Sequence, residues 1–231
     1  MIRPLAIALL LASAACSQEN APAEQLKKEA EKIVAPTPTP VAKGRFAPQD
    51  TCGKVAGADE FRARLAAAVR ARDADALAEL SARDVKLDFG GSAGTEELRK
   101  RLADPSWGLW GELEELMQLG CSANRQGGIT IPWYFDQDLG SADPFAAMLV
   151  TGEAVPVLEA PDPASERIGA VSWDLVEIPS LDPDGPYQQV KLPDGTTGFI
   201  ATGKLRSVID YRLIASSRND RWRITSFVAG D

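Results

Sequence analysis

The leader takes the first residues of this chain out of any folded core and sets the redox environment of the rest. In MIRPLAIALLLASAAC one basic residue, Arg3, precedes an apolar run from Leu5 to Ala12. Small residues follow, and Cys16 closes the stretch. A basic head, a short apolar run and small residues make an export signal rather than a structural helix. The run is shorter than the roughly 20 apolar residues that span a bilayer. The expectation is a signal peptide over 1–15 and a mature protein outside the cytoplasm.

The small residues before Cys16 resemble the lipobox of bacterial lipoproteins. That resemblance implies that Cys16 is acylated and becomes the lipidated first residue. Ser17 resembles the residue of lipoproteins sorted to an outer membrane, which implies a body facing the periplasm. The alternative is an ordinary secretory signal cut after Ala14 or Ala15. The chain has three cysteines. If Cys16 carries lipid, an oxidising compartment would join Cys52 to Cys121. Such a bridge closes a loop of about 70 residues and stabilises by on the order of 4 kcal/mol. The alternative is a pair of buried free thiols. No metal is expected, because the two cysteines lie far apart and the chain has no histidine. No cofactor motif is present either.

Apolar residues make up 45% of the chain, enough for a real core. The net charge of −8 argues against nucleic acid and against a polybasic contact with anionic lipid. No second apolar run reaches membrane-spanning length, so membrane contact is expected through Cys16 only. Residues 16–50 read as anchor and tether. NAPAEQLKKEAEKIV can form a short helix with opposite charges at helical spacing. In APTPTPVAKGR each proline fixes φ and removes a donor, which favours an extended spacer.

Residues 51–147 read as a helix-rich α+β region. Asp59 can cap a helix in which Phe61, Leu65 and Val69 share a face. Asp73 restarts the pattern, with Leu77 and Leu80 as its apolar positions. DVKLDFGG alternates as a strand, with Val85, Leu87 and Phe89 on one side and Gly90–Gly91 at its end. Thr95 caps the next helix, with Leu98 and Leu102 inward. Another follows with Leu109, Leu113, Leu116 and Met117 inward and Gly120 at the stop. ITIPWYF reads as an edge strand because of Pro132. The carboxylates Glu112, Glu114 and Glu115 have spacings that point them to solvent. Trp107, Trp110 and Trp133 suit either core packing or a ligand cavity.

Residues 148–207 change character to short β-rich runs broken by proline, glycine and aspartate, which suggests a small antiparallel barrel. A strand ends at Leu192, PDG turns tightly, and the chain returns through Thr197 to Ile200. These residues resemble the bacterial SH3-like domain. The resemblance rests on Val150 to Gly152, on Val157 through Pro161, on Ile168–Gly169 and on the strand Tyr187 to Lys191. It also rests on Asp194, Gly195, Gly198, Phe199 and Ile200, with Leu205 closing. Tyr187 and Phe199 stand where that family carries tryptophan, and Leu158 where it often carries arginine.

Residues 208–231 alternate as a hairpin around Ser217–Asp220, with Tyr211, Leu213, Trp222 and Ile224 on one face. The helix pair, the LDFGG strand and the W-x-I-T-x-F strand loosely resemble the ketosteroid-isomerase and nuclear-transport-factor group. The resemblance implies an α+β host, split into 51–147 and 208–231, with the SH3-like barrel inserted before the C-terminal hairpin.

The SH3-like resemblance implies a non-enzymatic, envelope-anchored protein that binds a cell-wall peptide or glycan or an envelope protein. The implied groove lies near Trp173, Tyr187 and Phe199. The alternative for those three is barrel core. The rival class is a periplasmic carrier or cavity enzyme on the α+β region, where Asp88 and Tyr211 are the polar candidates. The chain has no histidine, no G-x-S-x-G elbow and no phosphate loop.

Overall fold

The computed structural model describes residues 43–230. The leader, Cys16 and the proline run lie outside the described residues. Folding starts earlier than Cys52, since Phe46 is already buried and its N–H donates to Trp173 O at 2.8 Å. Gly44 makes that approach possible. It sits at φ 127°, and a side chain there would collide with Ser172 O.

Two helices open the body, α1 (Ala58–Ala71) and α2 (Ala74–Glu79). Phe61, Leu65 and Val69 form the buried face of α1. The cap of α1 is Gly57 rather than Asp59, which instead pairs with Arg62. Asp73 caps α2 by accepting from Ala76 N. Strand β1 (Ser81–Lys86) follows, then α3 (Thr95–Ala103), capped by Gly94 rather than Thr95. Helix α4 (Leu109–Leu116) buries Leu109, Leu113 and Leu116. Phe89 does not share the core face with Val85 and Leu87. Asp88 accepts from Ser92 N and from Arg101, which hooks the chain outward, and Phe89 is 47% exposed.

Strands β2 (Ser122–Ala123) and β3 (Ile129–Ile131) pair with each other. The C-terminal hairpin is β11 (Arg212–Arg218) and β12 (Arg221–Val228). Asn219 and Asp220 turn it with φ of 52° and 57°, as a primed turn requires. These strands form a five-stranded sheet in the order β1-β12-β11-β3-β2. β12 runs parallel to β1. β3 is not an edge strand: β2 covers it, and Pro132 falls just past its end. The helices and this sheet enclose one core, in which Phe61 stacks on Trp222 at 5.6 Å. Trp222 Nε1 donates to Ala56 O, so the hairpin is fastened to the start of α1.

Cys52 and Cys121 are joined by a disulfide, with Cα atoms 5.7 Å apart. The bridge pins segment 49–52 beside 121–123, where Cys121 N donates to Gln49 O and Thr51 N to Cys121 O. Gly120, at φ 77°, lets the two segments approach, since a side chain would collide with Gln49 O.

The second sheet is built from β4 (Ala147–Val150), β5 (Val155–Leu158), β6 (Arg167–Val171), β7 (Leu175–Glu177), β8 (Tyr187–Lys191), β9 (Thr197–Ala201) and β10 (Leu205–Ser207). Their order is β10-β4-β7-β8-β9-β5-β6. β4 and β7 wall both cores. Leu149 and Leu175 face the first, while Val150 and Val176 face a second, smaller core. Burial on both faces explains why AMLV reads as a continuous apolar run.

The expected architecture is corrected here. The described chain is mostly β, with twelve strands in two sheets against four α-helices, rather than an α+β host carrying a barrel. The seven-stranded sheet is not a closed barrel. Its end strands β6 and β10 pair only with β5 and β4. Two of its interior joints are single residue pairs, Glu177 with Lys191 and Leu158 with Phe199. The β6 edge carries Arg167, which donates to Gly169 O; a charged side chain of this kind blunts an edge against pairing.

Candidate functional site

Alternation along β8 sorts its side chains. Gln188 and Val190 are buried, whereas Tyr187, Gln189 and Lys191 face out. Tyr187 pairs with Ala201 and Gln189 with Phe199, so Tyr187 and Phe199 are diagonal neighbours on the outer face. Leu158 of β5 lies directly opposite Phe199. Both aromatic residues are half-buried and belong to neither core. From Tyr187 to Lys191 the strand advances by about 13 Å. There the face runs into an open groove of about 590 Å³ lined by Glu177, Lys191, Leu192 and Ser141 among others. Lys191 Nζ lies 3.2 Å from Glu177 Oε2 at its rim.

The inner face of the same strands is held by a buried polar knot. Gln188 Oε1 accepts from Asp182 N, and its Nε2 donates to Asp182 O and Thr202 Oγ1. The Thr202 hydroxyl in turn donates to Gly185 O. Loop 181–186 is thereby fixed beside Tyr187.

Trp173 lies elsewhere. It sits in the turn between β6 and β7 at φ 44°, packed against the first core, and its carbonyl accepts from Phe46 N. The structure therefore brings Tyr187 and Phe199 together, while Trp173 holds the chain's own segment 44–46. Trp107, Trp110 and Trp133 have three different surroundings. Trp133 is buried, Trp110 Nε1 donates to Leu102 O, and Trp107 is exposed with Arg101 4.3 Å over its ring.

Two of the three buried arginines among the described residues organise charge in ways the spacing of the acids did not reveal. Arg206 of β10 is 3% exposed and gathers Glu112 at 3.1 Å, Glu115 at 2.9 Å and Asp210 at 3.5 Å. Glu112 thus turns inward rather than to solvent, while Glu114 pairs with Arg72 outside. Burial works against the Arg206 charge, but Tyr134 and the three carboxylates outweigh it and hold its pKa above the ordinary arginine range. Burial and the nearby Asp210 push the Glu112 carboxyl up, although Arg206 opposes this. Burial pushes the Tyr134 hydroxyl up to about 12. Among the described residues Arg206 Nε has no hydrogen-bond partner. The second centre is Arg101, whose guanidinium meets Asp88 at 2.6 Å and Glu97 at 3.1 Å. The Arg101 hydrogen bond, then those from Ser92, hold the Asp88 carboxyl well below its usual range. Tyr211 feels charges of both centres, and burial, then Glu112, raise it. A charged residue in a short β-run, as in Leu205–Ser207, is the only local signal that could have pointed to Arg206.

Asp50, Cys52 and Cys121 bring potential ligand atoms within 4.8 Å of one another. Both sulfurs are bonded to each other, and Asp50 is engaged by Cys52 N and by Arg62 at 2.6 Å. Among the described residues no helix is long and apolar enough to cross a membrane. No protein-family model matches the chain, and no curated protein matches it.

Proposed function

We propose that this is an exported, lipid-anchored binding protein that holds an extended peptide of the cell wall or of an envelope protein. Cys16 carries the anchor, the proline run spaces the body from the membrane, and the outer face of β8 and β9 receives the partner. No catalytic step is assigned to it. The observation that carries this reading is the pair Tyr187 and Phe199, left out of both cores and half open to solvent. Aromatic side chains offer contact area at small entropic cost, which suits peptides and sugars. The strip from Tyr187 to the groove beside Lys191 matches about four extended residues.

The test is co-sedimentation of the full-length chain with purified peptidoglycan, alongside capture of envelope proteins by in-cell crosslinking. A Tyr187→Ala/Phe199→Ala double variant is expected to lose at least ten-fold in whichever assay the wild type scores. Retention of full binding by that variant would overturn the reading. A companion Cys16→Ser chain is expected to leave the membrane fraction while keeping the binding. If wild type and Cys16→Ser fractionate alike as soluble protein, the anchor is wrong.

A further inference from the structure

A cleft of about 810 Å³ is lined by arginines from four different elements: Arg64 of α1, Arg83 of β1, Arg99 of α3 and Arg223 of β12. This concentration is unexpected in a chain whose net charge is −8. Asp73 and Glu79 are the acids in the lining. The Asp73 carboxylate is occupied by the N–H of Ala76 at the start of α2. Arg99 is steadied by Asp75 at 2.8 Å and Glu96 at 3.0 Å. Arg64 and Arg83 meet no carboxylate among the described residues, and Arg223 donates only to the carbonyl of Trp222. Between the cations the wall is small and apolar, with Ala67, Ala71 and Ala76 among its residues.

Each feature narrows the ligand. A concave surface lined mainly by one sign of charge focuses the field and concentrates counter-ions. The planar guanidinium presents paired donors that match phosphate oxygens two at a time. Several guanidiniums with no acidic partner favour a ligand with more than one charge. The volume falls within the range of small-molecule sites, and alanines leave room for a compact body between the charged ends. We propose that this cleft binds a small ligand bearing two or more phosphate charges. The site is separate in residues from the aromatic face and does not depend on it.

The experiment is calorimetric titration of pyrophosphate into the full-length Cys16→Ser chain at low salt and without divalent cations. One-to-one saturable binding is expected, weakening steeply as salt is added. Arg64→Gln and Arg83→Gln should each weaken it at least ten-fold, and Arg83→Lys by less, since it keeps the charge but loses the fork. Arg125→Gln, an exposed arginine outside the cleft, should leave it unchanged. Thermal melts of each variant confirm that it is folded. Absence of saturable binding to wild type, or equal weakening by Arg125→Gln, would overturn the proposal. A second arm uses phosphatidylglycerol vesicles. If the chain binds these but not pyrophosphate, the arginines serve a lipid surface and the small-ligand site is wrong.

Discussion

Aromatic residues fill the core around the five-stranded sheet, where Phe46, Phe61, Trp133, Tyr134, Trp222 and Phe227 are all buried. The core of the seven-stranded sheet contains none. Its eight buried members are six valines and two isoleucines, Val150, Val155, Val157, Val171, Val176, Val190, Ile178 and Ile200. Of the aromatics in that region, Trp173 packs against the first core, while Tyr187 and Phe199 stand on the outer face. Branched aliphatic side chains pack a small β core densely and stiffly, which leaves the large flat side chains to the surface. One region spends its aromatic area on stability, and the other presents it to solvent.

The largest effects should come from breaking the first region. Reduction of the disulfide, or Cys52→Ser with Cys121→Ser, should cost on the order of 4 kcal/mol and lower the melting midpoint by about 10 °C. Phe61→Ala should cost about 4 kcal/mol by removing the ring that stacks on Trp222. In the second region Ile200→Ala should cost about 3 kcal/mol, since Ile200 is fully buried there. Equal loss from Tyr187→Ala would erase the distinction between the two regions.

The charge centre joining the regions gives intermediate effects. Arg206→Met should cost about 3 kcal/mol, because it strands Glu112 half-buried without its cation. Glu112→Gln should cost less, since burial already opposes its charge. Tyr134, raised to about 12, keeps its proton in the folded state when an unfolded tyrosine, near 10, has lost it. Its contribution is fully present below pH 10 and is lost as pH rises toward 12. Alkaline melts should therefore fall across that window in wild type and fall less in Tyr134→Phe. Asp88 acts in the other direction. Its lowered pKa makes a contribution that is present above the ordinary carboxylate range and is lost on acidification. Asp88→Asn should flatten the acid side of the profile.

Much of this was legible in the sequence wherever a local pattern decides the structure. The i, i+4 spacing of Phe61, Leu65 and Val69 located α1, and Asp73 located the cap of α2. Alternation in 212–228 located the C-terminal hairpin, although Asn219 and Asp220 make the turn itself. The disulfide between Cys52 and Cys121 was expected from the reading of the chain as exported, and the bridge is present. Four things were not legible. Sheet closure depends on whether the end strands β6 and β10 meet, and nothing within either strand records that. The inward turn of Glu112 depends on Arg206, 94 residues away. The position of Trp173 depends on Gly44 and Phe46, which the proline-rich spacing assigned to the tether. The arginine cleft, likewise, draws on four distant elements and has no local signature.

The smallest expected effect is also the most telling. The Tyr187→Ala/Phe199→Ala double variant should melt within a few degrees of wild type, as surface residues outside both cores should. A thermal melt of that variant beside Phe61→Ala is the direct measurement. A near-native midpoint, with Phe61→Ala strongly lowered, is the result the account predicts. A fall as large as that of Phe61→Ala would mean that these two aromatics carry the fold, and the outer face would lose its standing as a binding surface.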